Sequence, residues 1–306
     1  MEQISVSGPD AGPYAITTGP DGALWFTLVH QGQIARFEPG VREPTTDDAD
    51  PGSGPTITTY DVGPDSGPTI ITGGPDGALW FTRFRDHRIG RVTTGGDLTS
   101  FALPTPEAGP FGIAPGLDGA LWFTETGADR IGRITTDGEI TEFPLPVAGG
   151  FPSAIAAGRD GGLWFTMNMA DAIGRIGTGG KVAIHPLPAP GSAPVGITAG
   201  ADGAMWFVEI GAGQIGRIQP DGKIEEFPLP DRAARPHAIA ADAHGDLWFT
   251  EWGANRIGRI TSAGLIDEHD LPTPSSEPHG IAPGPDGAMW AALELGALAR
   301  LPSPAR

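Results

Sequence analysis

A repeat marked by tryptophan constrains this chain more than any other feature of its sequence. Tryptophans at positions 25, 80, 122, 164, 206, 248 and 290 each follow an apolar residue, with one gap of 55 residues and five of 42. Each repeat begins with a Pro-x-x-Ile run and continues through a glycine-rich turn into a Leu-Trp-Phe-Thr-like run. Self-similarity at a fixed period of about 40 residues indicates an array of one supersecondary unit.

Each repeat divides into four short runs, here called A, B, C and D, which are separated by turn signals. Residues 110–113, 121–124, 131–134 and 143–146 show the four runs in order. Asp-Gly dipeptides between runs favour tight hairpins, because both positions tolerate positive φ. Four strands in about 40 residues are typical of a propeller blade. The sequence therefore predicts an all-β fold, a seven-bladed β-propeller of four-stranded blades, with residues 1–306 as a single domain.

The ends of the chain predict how the ring closes. The last repeat contains an A run at 279–282, a B run at 289–294 and a C run at 297–301, but it has no D run. Residues 3–7 precede the first A run, at the place of a D run. We expect this N-terminal strand to join the last blade, which would leave no exposed strand edge between the first and last blades.

The longer gap contains an acidic insertion at about residues 38–55 of blade one. It exceeds the standard repeat by 13 residues (55 against 42) and includes Thr-Thr-Asp-Asp-Ala-Asp at 45–50. We interpret it as a solvated loop between strands C and D. An incidental cation site is the alternative.

Charge and composition limit the possible partners. A formal net charge of −18 and a pI near 4.6 argue against nucleic acid and against an anionic membrane surface. The chain has no cysteine, which excludes disulfides and thiolate chemistry. The N-terminus shows no basic stretch followed by an apolar run. We expect a monomeric, cytoplasmic protein that acts on a small molecule.

Positions at which the repeat varies point to one face of the ring. The strands of a blade alternate in direction, so the start of A and the end of B lie on the same face, opposite the Asp-Gly turns. The second residue of Pro-x-x-Ile is one such variable position. From blade one to blade seven it is Tyr14, Thr69, Phe111, Ser153, Val195, His237 and His279.

Blades six and seven bring imidazoles and carboxylates to one sector of this face. Glu277 precedes the proline of the last A run, and Glu294 is the fourth residue after Trp290. With His237 and His279 they predict a cluster at one end of the central channel. A site with few protein ligands, in which waters complete the coordination shell, is typical of magnesium. Zinc would be preferred if both histidines coordinated directly.

Other glutamates and histidines have simpler interpretations. Glu125, Glu209 and Glu251 recur as the third residue after tryptophan, and we expect them to hold the B–C loops. His30 and His87 lie in B–C connections on the same face as the cluster. We place them far around the ring from blades six and seven.

The repeated Leu-Trp-Phe-Thr-Glu and Arg-Ile-Gly-Arg-Ile runs, together with Glu277-Pro278-His279-Gly280-Ile281, resemble the virginiamycin B lyase family over essentially the whole chain. The resemblance implies a propeller that opens streptogramin B-type cyclic depsipeptides at their ester bond by elimination, with Mg²⁺ as cofactor. It implies His279 as the base and Glu277 and Glu294 as metal-associated carboxylates. It also implies His237 as a substrate-contacting residue.

Three aromatic residues at the same mouth, Tyr14, Phe111 and Trp252, are expected to pack against the apolar macrocycle. Two alternatives to a lyase are a metal-dependent lactonase or hydrolase and a non-enzymatic binding propeller, since fold alone does not fix function. Thr69, Ser153 and Val195 argue against the lactonase, because those propellers bring further acidic or amide ligands to the inner ring.

Overall fold

The computed structural model of the protein describes residues 1–39 and 55–302. Within these residues, 28 β-strands form seven four-stranded antiparallel sheets, and the helical structure is limited to a 3₁₀ turn at Asn168–Ala170. This confirms the predicted seven-bladed β-propeller. No helix in the described part of the chain is long and apolar enough to cross a membrane.

The innermost strand of each blade, strand A, starts at the proline of the Pro-x-x-Ile run. The seven A strands are β2 (Pro13–Thr18), β6 (Pro68–Gly73), β10 (Pro110–Pro115), β14 (Pro152–Ala157), β18 (Pro194–Ala199), β22 (Pro236–Ala241) and β26 (Pro278–Pro283). Neighbouring A strands contact one another, and β26 contacts β2, so the ring is complete. The isoleucines of these strands line a channel cavity of about 170 Å³.

Strands B and C form the middle of each blade, and strand D forms its outer edge. The B strands are β3 (Leu24–Leu28), β7 (Leu79–Arg83), β11 (Leu121–Glu125), β15 (Leu163–Met167), β19 (Met205–Glu209), β23 (Leu247–Glu251) and β27 (Met289–Leu293). The C strands are β4 (Gln33–Glu38), β8 (Arg88–Val92), β12 (Arg130–Ile134), β16 (Ala172–Ile176), β20 (Gln214–Ile218), β24 (Arg256–Ile260) and β28 (Ala297–Leu301). The D strands are β5 (Thr56–Asp61), β9 (Leu98–Ala102), β13 (Ile140–Pro144), β17 (Val182–Pro186), β21 (Ile224–Pro228), β25 (Ile266–Asp270) and β1 (Glu2–Ser5).

The last blade takes its outer strand from the N-terminus, as predicted. Strand β1 pairs antiparallel with β28, with Ile4 opposite Leu298. The strand is Glu2–Ser5 rather than residues 3–7. The backbone N–H groups at positions 6 and 7 do not continue the pairing, because both donate to the carbonyl of Gly296 in the turn before β28. Closure therefore places blade one directly beside blade seven.

Strands β4 and β5 flank the acidic insertion of blade one. They pair along their length as strands C and D of that blade. Residues 40–54, which include the acidic run, lie outside the described residues. The interpretation of residues 38–55 as a solvated loop therefore stays a prediction.

A hydrogen-bonded motif explains why Asp, Trp and Arg recur at fixed spacing on the face opposite the cluster. In blade one, Asp21 Oδ1 accepts from Trp25 Nε1 at 3.0 Å, and Oδ2 accepts from Arg36 Nε at 2.7 Å. The Arg36 guanidinium lies 5.9 Å from the Trp25 ring centroid, and Tyr60 stacks on that ring at 5.4 Å. Equivalent bonds recur in other blades. The residues on this face recur because their hydrogen bonds connect the strands within each blade.

Candidate active site

Ring closure brings side chains from blades six, seven and one together at one end of the channel. His237 lies in β22, His279 in β26 and Tyr14 in β2. The ring centroids of His237 and His279 are 4.8 Å apart, and that of Tyr14 is 4.6 Å from His279. The Tyr14 hydroxyl lies 3.4 Å from His237 Nε2. Equivalent positions in neighbouring blades thus form one contiguous aromatic and imidazole surface.

The backbone of His279 is held by a buried threonine from the preceding blade. Thr250 Oγ1 donates to the carbonyl of His279 at 2.8 Å and accepts from the N–H of Ala238 at 3.0 Å. The same bridge occurs in most blades. Blades five and seven have Val208 and Ala292 at this position, next to the strands that carry His237 and Tyr14. The repeat motif therefore anchors His279 but not those two neighbours.

A group that could hold a metal ion is formed by Glu277, His279 and Glu294. One ligand atom from each lies within 4.8 Å of the others. Glu277 has a φ of +51°, in the left-handed region that costs a non-glycine residue about 1–3 kcal/mol. All equivalent positions have positive φ: Gly12, Gly67, Gly109, Phe151, Ala193 and Arg235. The first three blades place glycine there and the last four place other residues in the same strained conformation, and among these Glu277 alone presents a carboxylate.

Glu294 is hydrogen-bonded to two imidazoles. His279 Nε2 lies 2.6 Å from Oε2, and His30 Nε2 lies 2.8 Å from Oε1. Although burial alone would raise the pKa of Glu294, the bonds to His30 and His279 hold it below its usual range. The expectation that His30 lies far from blades six and seven is wrong, because closure makes blade one the neighbour of blade seven.

Burial dominates the protonation states of the other groups in the cluster. Burial, together with the neighbouring His279, lowers the pKa of His237 to about 3. Burial also lowers the pKa of His279, although Glu294 acts in the opposite direction. The pKa of Tyr14 is raised well above its usual range by burial and by the charge of Glu294. At neutral pH both imidazoles and the phenol are therefore uncharged.

The chemistry of this donor set fits a divalent cation. Glu277 and Glu294 are half-buried, and two carboxylates at this distance favour a bound positive charge. Carboxylate oxygens with open positions for water suit magnesium, whereas direct coordination by His279 would favour zinc. The residues that could hold the cation are therefore the two glutamates that the sequence predicts, with His279 beside them.

Aromatic residues extend from the cluster around the mouth. The ring centroids of Phe111 and Tyr14 are 6.4 Å apart, and Phe84 contacts Phe111 at the same distance. Phe111 and Tyr14 both line the channel cavity. Trp252 is on the same face, but its ring is capped by the guanidinium of Arg235 at 5.4 Å. Phe111 and Tyr14 thus share one cavity, whereas the Trp252 ring contacts Arg235.

A closed seven-bladed propeller with two carboxylates and an imidazole at one channel mouth has the construction of a metal-dependent propeller enzyme. The family model described as the virginiamycin B lyase family matches residues 1–301. The chain therefore belongs to the virginiamycin B lyase family, a group of propeller lyases.

Individual relatives agree with this membership. A virginiamycin B lyase from Saccharopolyspora erythraea is 63% identical over 106 residues, which are 35% of this chain and 31% of that protein. The matched stretch thus spans about a third of this curated relative. The crystal structure of virginiamycin B lyase from Staphylococcus aureus has a TM-score of 0.91 and 42% identity, with 99% of each chain covered. A catalytically inactive histidine-to-alanine variant of the Staphylococcus aureus enzyme, solved with quinupristin, has a TM-score of 0.90 and 41% identity, again with 99% of each chain covered.

Proposed function

We propose that the protein is a magnesium-dependent carbon–oxygen lyase that linearises streptogramin B-type cyclic depsipeptides by elimination at the ester bond. The observation that carries this proposal is the group of Glu277, His279 and Glu294 at the channel mouth, with ligand atoms within 4.8 Å of one another. The quinupristin complex of the Staphylococcus aureus relative supports a depsipeptide substrate, and its inactive variant supports a histidine in catalysis.

Elimination begins with the removal of a weakly acidic proton from the carbon next to a carbonyl group. This step needs a positioned base and stabilisation of the negative charge that develops on the carbonyl oxygen. A magnesium ion held by Glu277 and Glu294 would supply that stabilisation as a Lewis acid. The electron pair of the C–H bond becomes a carbon–carbon double bond, and the ester oxygen leaves as a carboxylate. No water is consumed.

His279 is suited to act as the base. Its lowered pKa keeps the imidazole neutral at pH 7. Its Nδ1 is buried and has no hydrogen-bond partner among the described residues, whereas Nε2 faces the carboxylate of Glu294. Because an ionised carboxylate only accepts, Nε2 of the neutral imidazole donates to Glu294 in this structure. To take the substrate proton, Nε2 would have to be released from Glu294, with the imidazole hydrogen carried on Nδ1.

Neighbouring residues would orient the macrocycle over this base. His237 stays neutral and lies against Tyr14 and His279, so it presents a polar edge to the substrate without adding charge. Phe111 and Phe84 offer apolar rings on the side of the mouth away from the glutamates. We retain Trp252 as a proposed contact for the outer part of the ligand, together with the Arg235 that covers it.

One mass measurement tests this function against its alternatives. After incubation with a streptogramin B antibiotic and Mg²⁺, the expected product is linear, carries a dehydrobutyrine end and has the mass of the cyclic substrate. His279→Ala should abolish turnover. His185→Ala should not, since that histidine stacks on Trp164 in an outer strand. A product heavier by one water would identify a lactonase, and no product would favour a binding protein.

A further inference from the structure

His30 is the one residue of blade one whose imidazole contacts a glutamate of the candidate metal group in the described structure. Its Nε2 lies 2.8 Å from Oε1 of Glu294, across the seam where the first and last blades meet. His279 holds the other oxygen, Oε2, at 2.6 Å. The plane of the carboxylate is thus determined by two imidazoles from two different blades.

The backbone of blade one is shaped to admit this imidazole. His30 follows β3, and its N–H donates to the carbonyl of Ala11 at 3.3 Å. The ring lies over Gly12, where a Cβ atom would come within 2.4 Å of the imidazole Cδ2. Gly12 also has a φ of +66°. In blade seven the position equivalent to Gly12 is Glu277. At this position blade one therefore leaves room for the imidazole of His30, and blade seven contributes a carboxylate.

The contact contributes little to stability by itself. The side chain of His30 is 44% exposed and that of Glu294 is 26% exposed, and exposed ion pairs typically contribute about 0–1 kcal/mol. The contact has a larger effect on the orientation of the Glu294 carboxylate, because a glutamate side chain has several rotatable bonds. Hydrogen bonds to ligating carboxylates commonly decide metal affinity.

We propose that His30 is a positioning residue that holds the Glu294 carboxylate in the orientation that presents it, together with Glu277, to the metal ion. This inference rests on the proposed function for the choice of Mg²⁺. His30 acts through Glu294 and leaves the proton transfer to His279.

The test is calorimetric titration of the purified protein with Mg²⁺ in the absence of substrate. His30→Ala should weaken Mg²⁺ binding by about 10- to 100-fold. His30→Gln should retain most of the affinity, because its amide N–H₂ group can still donate to Oε1. Arg85→Ala is the matched control, since Arg85 occupies the equivalent position of blade two and packs over Gly67 in the same way. That variant should bind Mg²⁺ like the wild-type protein.

The outcomes separate this inference from the proposed function. Unchanged affinity in His30→Ala, beside weakened affinity in Glu294→Gln, would overturn the role of His30 and leave the metal site standing. An equal loss in His30→Gln and His30→Ala would also overturn it, since positioning requires only a donor. Absence of Mg²⁺ binding in the wild-type protein would overturn the metal site itself, before any His30 variant is compared.

Discussion

Two glutamates at the same end of strand B have opposite environments. Glu251 is the third residue after the tryptophan of blade six, and Glu294 is the fourth after that of blade seven. Successive side chains of an extended strand point to opposite faces, so a shift of one residue changes what the side chain meets. Glu251 is fully buried within its blade, whereas Glu294 reaches the mouth of the channel.

The charge states of the two glutamates differ accordingly. Burial raises the pKa of Glu251 to about 8, with a further contribution from the nearby Glu268. The pKa of Glu294 is instead held low by its two histidine partners, against the effect of burial. At neutral pH one carboxyl is protonated and structural, and the other is ionised and able to bind a cation. Residue type alone does not distinguish these roles.

The other repeat glutamates resemble Glu251. Burial raises the pKa of Glu125 to about 8 and that of Glu209 to about 7. Glu209 Oε2 accepts a hydrogen bond from Gln214 Nε2 at 2.8 Å, at the far side of its B–C connection. Neither oxygen of Glu125 accepts a hydrogen bond from the described residues. The expectation that these glutamates hold the B–C loops is therefore met through a side-chain hydrogen bond at Glu209, but not at Glu125 or Glu251.

The largest effect on activity is expected from Glu294→Gln, and Glu251→Gln beside it tests the comparison directly. Glu294→Gln should lower kcat/KM by more than about 100-fold, because even residues that only support metal ligands are worth 10- to 100-fold. Glu251→Gln should stay within a few-fold of wild type, since glutamine resembles the protonated acid. Steady-state kinetics over a range of Mg²⁺ concentrations measures both. Equal losses, with unchanged melting temperatures, would place Glu251 in the site as well.

A smaller effect is expected from the threonine bridges that connect the blades. Thr250→Val and Thr124→Val each remove a buried hydroxyl that bonds two backbone groups, and each should cost about 1–3 kcal/mol of stability. Only Thr250→Val should lower turnover, by several-fold, because its bridge holds His279 whereas that of Thr124 holds Ser153. Denaturant unfolding and kinetics on both variants measure this. Equal kinetic losses would show that the bridge acts through the ring as a whole.

The smallest expected effect on turnover concerns Glu125, whose role is in the dependence of stability on pH. Its pKa is raised to about 8 in the folded protein, from 4.5 for an unperturbed glutamate. As pH rises between these values, the unfolded chain releases the proton first, so the wild-type protein loses stability. Glu125→Gln removes this loss. Its melting temperature should match wild type near pH 4.5 and exceed it by roughly 7 °C above pH 8.

The matched control for this measurement is Glu139→Gln, an exposed glutamate of the same blade. Its difference from wild type should be the same at every pH. A Glu125→Gln variant that behaves like this control would mean that the buried glutamates are ionised in the folded protein. The contrast between the repeat glutamates and Glu294 would then rest on geometry alone.

Much of this architecture can be predicted from sequence. The 42-residue spacing of the tryptophans and the missing last D run indicate seven blades and their closure by the N-terminus, and both are found. Counting from the tryptophan and from the proline of Pro-x-x-Ile places Glu277, His279 and Glu294 at the same end of the central channel. These inferences succeed because strand alternation and hairpin turns are local properties of the chain.

Side-chain partners across the ring could not be predicted in the same way. Its position in the chain places His30 far around the ring from blades six and seven, whereas its imidazole contacts Glu294 of blade seven. The contact between the Arg235 guanidinium and the Trp252 ring is likewise not indicated by the repeat, and Trp252 as a substrate contact stays a prediction. Nothing in the spacing of residues indicates which rotamer a side chain adopts or which neighbour it meets.

The sequence by itself determined the number of blades, the face on which the variable residues lie and the glutamates and histidines available there. Only the tertiary structure decided that His30 and Glu294, 264 positions apart, share a hydrogen bond, and that Glu251 is buried while Glu294 is charged. The physical reason is that hydrogen bonding and desolvation depend on distances across the closed ring, whereas the repeat pattern records only the order of residues along each blade.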